Sequence, residues 1–308
     1  MMVIFGIILG LLILVLLVVI HELGHAIAAR RNGVVVEEFG IGFPPRAWSK
    51  KLKNGVLFTL NWLPLGGFVK LQGEHDAADQ PGDYGAATFW QKTKILLAGV
   101  AVNWVAAGFL LTILAWTGLP KILPNQFSVP SDTTVASSPV RILSTADNYP
   151  AVTAGIREGD IIQSIDGQAV ETVEEFVDMT VAARGETVSV AYERAGDLMT
   201  SQVRLRDADS AGVAGPIGIL GVIFPAAGQA GLTQLTFLTA IISLTLAVMN
   251  ALPIPALDGG RWFVTAIFKL LRKPLTKDLE EKIHGTGFML LIGLIILVTI
   301  ADVGKLFN

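Results

Sequence analysis

Cysteine is absent from all 308 residues, so neither a disulfide nor a thiolate metal site is available. Any metal must be held by histidine or carboxylate. Charge is scarce: 16% of residues are Asp, Glu, Lys or Arg, against about 25% in soluble domains. With 52% hydrophobic residues, this composition points to an integral membrane protein. The net charge of −3 is too small to suggest nucleic acid as a partner. Histidine is rare, at four positions: 21, 25, 75 and 284. The first apolar run lacks a basic leader and an A-x-A-like cleavage site, so it reads as a retained span rather than a signal peptide. Length alone suggests about two domains.

Four segments are long and apolar enough to cross a bilayer, which takes about 20 residues. They run from Val3 to about Ala29, Ile95 to Gly118, Leu232 to Asn250, and Gly285 to Ala301. Basic residues orient them. Residues 30–94 carry nine Lys or Arg against six acids, and residues 251–287 carry six against four. Residues 119–231 carry seven against fourteen. The first two stretches are therefore expected in the cytoplasm, and the third, with both termini, outside.

His21-Glu22-Leu23-Gly24-His25 ends the first span, continuing 18 uncharged residues from Val3 to Ile20. Residues four apart on a helix share a face, so His21 and His25 can grip one zinc ion from the same side. Glu22 lies beside that face, where it can take a proton from a water. Two unrelated histidines are the bland alternative, but ionisable groups at membrane depth are expensive and usually functional.

After the first span, Phe39-Gly40-Ile41-Gly42-Phe43-Pro44-Pro45 and Val56 to Leu71 read as short strands joined by a glycine turn at Gly66-Gly67. They are too apolar for a solvated hairpin. Non-helical backbone enters a membrane only where it is buried in protein or lines a cavity. Composition fits an ordinary interfacial hairpin equally well; an edge strand dipping toward the site could hold a peptide by strand addition. Residues 74–83 read as a polar acidic loop, with His75 solvated.

Residues 119–210 are different material: polar, mixed in charge and punctuated by turns. Val140–Leu143, Ile161–Ile165, Thr187–Tyr192 and Ser201–Leu205 are expected strands, with a turn at Asp166-Gly167. Val170–Arg184 has helical spacing, with Val173, Phe176, Val177 and Val181 on one face. The segment is large enough for its own core. The glycine-rich residues 211–231 read equally as linker or folded loop.

The third span ends in Asn250-Ala251-Leu252-Pro253-Ile254-Pro255-Ala256-Leu257-Asp258-Gly259-Gly260. The prolines break the helix, leaving Asp258 at the break on the expected cytoplasmic side. That is the depth of His21 and His25. An Asp there can cap a helix, but two histidines and one carboxylate also make the three-ligand, open pattern of catalytic zinc.

These motifs resemble the site-2 protease family, membrane zinc metalloproteases of regulated intramembrane proteolysis, in its bacterial RseP type. The likeness rests on His21–His25, Pro64 to Lys70, Gly215-Pro216-Ile217-Gly218, and Asn250 to Gly260. Residues 119–210 resemble a PDZ domain through Tyr149-Pro150-Ala151, Ala154-Gly155-Ile156, Gly159-Asp160-Ile161-Ile162 and Ile165-Asp166-Gly167.

The resemblance implies a polytopic α-helical fold with four transmembrane helices, a membrane-associated β-hairpin and an inserted α+β PDZ-like domain. The domains would be residues 1–118, 119–210 and 211–308. It implies Zn2+ held by His21, His25 and Asp258, with Glu22 as general base and Asn250 helping to hold substrate. Gly66 and Gly67 are expected to keep a substrate extended. The substrates implied are single-span membrane proteins such as anti-sigma factors or signal-peptide remnants. The PDZ-like domain would meet their ectodomain or C-terminus, and the protein would lie in the inner (cytoplasmic) membrane. Val100 stands where the family often has proline between Gly99 and Asn103, and there is room for one PDZ-like domain where larger members have two. A metal transporter would need polar residues along several spans, whereas here they cluster at one depth. A scaffold with a dead zinc site would not need Glu22.

Overall fold

The computed structural model describes residues 2–119, 139–142, 145, 149–207 and 219–307. Contacts divide the chain into two compact units. One comprises Ile7–Trp116 and Thr236–Leu297; the other comprises Met1–Gly6, Thr117–Leu235 and Val298–Asn308. The expected Gly215-Pro216-Ile217-Gly218 motif lies outside the described residues.

The first unit opens within α1, Met2–Arg31, a helix uncharged and dominated by Leu, Ile and Val up to the motif. Its end is set by Gly33, which takes φ +82. The Val34 amide donates back to the Ala29 carbonyl at 2.9 Å, closing the last turn. Arg30 and Arg31 sit at the negative end of the helix dipole.

Two long strands follow, β1 (Val36–Lys51) and β2 (Leu57–Leu71), paired antiparallel. Residues 38–41 have partners in both halves of β2: Glu38 faces Lys70 and Leu57, and Ile41 faces Gly67 and Leu60. The hairpin is thus folded on itself. This corrects the expected layout. The connection is Leu52–Val56, closed by Leu52 N–H to the Val56 carbonyl at 2.8 Å, with Gly55 at φ +88. Gly66 and Gly67 lie inside β2. Gly66, at φ +111, bends the strand, and a Cβ on Gly67 would stand 2.9 Å from the Gly40 carbonyl oxygen.

The second long helix, α2 (Phe89–Thr117), starts six residues before the uncharged run. Thr88 and Gln91 cap it reciprocally: Gln91 Oε1 accepts from the Thr88 amide at 2.8 Å, and Thr88 Oγ1 from the Gln91 amide at 3.4 Å. Ala26, Ala29, Val34, Val36, Val56, Leu71, Tyr84, Ile95 and Leu96 form the core where α1, the sheet and α2 meet.

Further along lie α6 (Leu232–Ala251), α7 (Asp258–Leu270) and α8 (Lys277–Phe307). The last begins eight residues before the expected fourth span, with a charged first turn. Among the described residues, four helical segments are long and apolar enough to cross a membrane: Ile4–Arg31, Phe89–Thr117, Leu232–Ala251 and Lys277–Ile300.

The acidic loop is not simply solvated. Lys92 Nζ pairs with Asp76 at 2.7 Å, both nearly buried, and Glu280 Oε2 accepts from the Asp76 amide at 2.8 Å. Tyr84 is fully buried between the Lys92 and Arg261 cations, and burial pushes its phenol well above the usual range.

In the second unit a four-stranded antiparallel sheet has the order β4-β3-β5-β6. Its strands are β3 (Ile161–Ile165), β4 (Gln168–Ala169), β5 (Thr187–Arg194) and β6 (Asp197–Arg204). Helix α3 (Pro150–Thr153) precedes it, and α4 (Val173–Ala182) packs on it with a Thr172–Glu175 capping box. A short helix, α5 (Phe224–Ala230), precedes α6. Of the strand expected at 140–143, the described residues 140–142 form a single bridge, Arg141 to Ile161, and residue 143 lies outside the described residues. The expected helix face also shifts. Phe176, Met179 and Ala183 pack against the core, while Val173, Val177 and Val181 are exposed. The longer Phe and Met side chains reach the sheet and set the rotation.

Asp160, almost fully buried, accepts from Arg194 Nε at 2.8 Å and Nη2 at 2.7 Å, and from the Arg157 amide at 2.7 Å. The Arg194 guanidinium holds its carboxyl below the usual carboxylate range.

Candidate metal centre

Close helix packing builds the site. A Cβ on Gly24 would lie 2.8 Å from the Ala98 carbonyl oxygen, so only glycine lets α1 and α2 approach this closely. One residue on, Gly99 faces both imidazoles. A Cβ there would overlap His25 Nε2 and come within 2.7 Å of His21 Nε2. The missing side chain is the space between the two histidines.

His25 Nδ1–H donates to the Ile95 carbonyl at 2.7 Å, which orients the ring with Nε2 facing inward. Asp258 arrives as the first residue of α7. Gly259 and Gly260 are buried so tightly against Ala251 and Ile254 that no Cβ fits, which locks the start of the helix in place. Asp258 Oδ2 lies 3.0 Å from His21 Nε2 and 3.2 Å from His25 Nε2, and the two Nε2 atoms are 3.1 Å apart. Zinc ligands about 2.0–2.1 Å from a tetrahedral ion stand roughly 3.3–3.4 Å from one another. The near-equilateral triangle therefore fits one face of such a shell. Among the described residues this is the one group of three or more His, Asp or Glu close enough to share an ion. His75 is not part of it.

Glu22 Oε2 accepts from the Val69 amide of β2 at 3.1 Å. A Cβ on Gly67 would stand 3.8 Å from Glu22 Cγ, so this part of the hairpin lies against the motif. Asn250 turns its amide to its own helix, donating to the Leu246 carbonyl at 3.0 Å. Sequence reasoning gave no role to Asn103. It is fully buried, with Nδ2 3.3 Å from His21 Nδ1. Its backbone carbonyl accepts from Ser243 Oγ of α6 at 2.9 Å. The available signals were its standing as the most polar residue in 24 uncharged positions and its place, four residues after Gly99, in the pattern shared with the family.

Arg261, one turn after Asp258, clamps α7 from outside. Its Nη1 donates to Glu74 Oε1 at 2.7 Å, its Nη2 donates to the Glu74 carbonyl, and its Nε lies 3.6 Å from Glu280 Oε1.

The model of peptidase family M50 matches residues 9–294, spanning the site and both halves of the membrane unit. The chain belongs to peptidase family M50. It is 30% identical over 347 aligned positions to CPE1693 of Clostridium perfringens, named as a zinc metalloprotease, covering 96% of this chain and 98% of that one. It is 24% identical over 423 positions to the regulator of sigma-W protease RasP of Bacillus subtilis, covering 94% and 96%. Among solved structures, the PDZ domain of an SdrC-like protein from Listeria monocytogenes matches 29% of this chain and 90% of its own length, at 28% identity and a TM-score of 0.23. As an M50 peptidase the protein is a zinc metalloprotease of the site-2 type, and its cofactor is zinc.

Proposed function

We propose that this peptidase cleaves peptide bonds within transmembrane segments of single-span membrane proteins, with His21, His25 and Asp258 as its zinc ligands. The observation that carries this reading is the triangle of Nε2, Nε2 and Oδ2 atoms, 3.0–3.2 Å on each edge, drawn from positions up to 237 residues apart. Bound zinc supplies Lewis acidity that polarises a carbonyl and brings the pKa of a water to about 7. Glu22 acts as general base, taking the proton from the attacking water and returning it to the leaving amine. Val69 N–H holds one carboxylate oxygen and leaves the other for that exchange.

A helical peptide bond is shielded by its own hydrogen bonds, so the substrate must be unwound before attack. The β2 segment through Gly66 and Gly67 runs beside Glu22 and is suited to holding it extended by strand addition. Phe43, Trp48, Trp62 and Leu63, all exposed, give the far part of the hairpin a surface suited to lipid or an apolar segment. Asn250 is assigned to substrate by resemblance; it would have to release the Leu246 carbonyl to act.

The basic bias of residues 30–94 and 251–287 supports a site near the cytoplasmic face of the inner membrane, with the PDZ-like domain outside. That domain acts as a size filter, admitting substrates already stripped of bulky ectodomains; anti-sigma factors and signal-peptide remnants are the classes expected. The alternative is capture of a trimmed C-terminus. Trapping substrates with the Glu22→Gln protein and identifying what co-purifies tests the reading. Enrichment of single-span membrane proteins that are intact within their membrane segment, and that the active parent cleaves there, supports it. Recovery of soluble proteins alone contradicts it.

A further inference from the structure

Resting on the zinc reading above, we infer that Asn103 is a positioning residue that sets the tautomer of His21. The two histidines differ in how their Nδ1 atoms are held. His25 Nδ1–H donates to the Ile95 carbonyl, an acceptor that leaves Nε2 free to be the ligating atom. His21 Nδ1 faces the side-chain amide of Asn103 at 3.3 Å, while Asn103 Oδ1 is buried with no hydrogen-bond partner.

In this orientation Nδ2–H donates to Nδ1. His21 then carries its proton on Nε2, which donates to Asp258 Oδ2 at 3.0 Å. A protonated Nε2 cannot bind a metal. For Nε2 to serve as a ligand, the proton must sit on Nδ1, and Nδ1–H then needs an acceptor. Asn103 is the group that faces it. A half-turn of the amide exchanges its two ends and presents Oδ1 to Nδ1–H. One end of the amide lacks a partner in either orientation, so the half-turn has little preference of its own. The state of Nε2 decides it.

Two features hold the Asn103 backbone while the side chain turns. It is fully buried within α2, and its carbonyl is tied to Ser243 on α6. Asn103 thus does for His21 what the Ile95 carbonyl does for His25, in a form that can reverse. Groups that orient a ligating histidine are worth about 10- to 100-fold in metal affinity.

The test measures the zinc dissociation constant of the purified full-length protein by chelator competition, with the visible spectrum of the cobalt-substituted protein as a second readout. Asn103→Leu keeps the size but offers no acceptor. Asn103→Asp offers acceptors alone. Leu is expected to weaken zinc binding about 10- to 100-fold and shift the cobalt bands, while Asp keeps affinity within about threefold of the parent. Parent-like affinity in Asn103→Leu overturns the inference. So does an equal loss in Leu and Asp, which would make the role one of shape. His25→Ala separates the underlying reading: if it binds zinc like the parent, the ligand assignment fails, whatever Asn103 does.

Discussion

The backbone N–H of Val69 donates to Glu22 Oε2 over 3.1 Å, joining the middle of a β-strand to the proposed base. The hairpin and the metal centre are therefore one construction. A peptide added along this strand would pass the carboxylate proposed to serve its hydrolysis. Glu22→Gln is expected to retain one zinc per chain and to lose roughly 100- to 10,000-fold in cleavage of a model single-span substrate. Zinc analysis alongside a gel-based cleavage assay checks both halves. Full activity would refute the base assignment.

Gly99 leaves open the space between the two imidazoles. Gly99→Ala places a methyl group against His25 Nε2 and His21 Nε2. Overpacking of this kind costs about 1–3 kcal/mol, which predicts about a tenfold or greater loss of zinc affinity. Metal content after dialysis against a weak chelator measures it, with the thermal melt of the chelator-treated protein as the control for folding.

Arg261 holds the start of α7 through Glu74 and the nearly buried Glu280. Removing one partner of such a network leaves an uncompensated buried carboxylate, at a cost of about 3 kcal/mol. Arg261→Ala is expected to lower the melting temperature and to weaken zinc binding, because Asp258 lies one turn away. Arg261→Lys should rescue stability only in part, since Lys lacks the forked geometry.

Asp160 gives the small domain a pH dependence. Its folded pKa lies below that of the unfolded chain, so its contribution is present above the ordinary aspartate range and is lost as pH falls through the lowered value. Asp160→Asn should remove that acid step and cost about 2–3 kcal/mol at neutral pH, the low side for a buried pair because Arg194 is partly exposed. Hydrogen exchange of residues 155–165 in the full-length protein, compared at neutral and acid pH, reads it. An unchanged acid profile in Asp160→Asn would contradict it.

Much of this was legible because the strongest sequence signals are also the ones a membrane imposes. The first and third spans matched α1 and α6 closely, since uncharged runs of this length have few other folds. The edges of α2 and α8 were not legible from hydropathy, because capping by Thr88 and Gln91 and pairing of Lys92 with Asp76 carry helix into charged sequence. Gly66 and Gly67 read as a turn because a positive φ is expected there, yet Gly66 uses it to bend a strand. The meeting of His21, His25 and Asp258 could be reasoned from depth. The contact of Asn103 with His21 could not, since nothing in a local pattern tells which of its neighbours a buried amide faces.

The most direct test is zinc K-edge X-ray absorption on the purified parent protein beside Asp258→Ala. The account predicts one zinc per chain in the parent, with two imidazole nitrogens at about 2.0–2.1 Å and a carboxylate oxygen in its shell, and loss of zinc in the variant. Zinc retained in Asp258→Ala with an unchanged shell would contradict it.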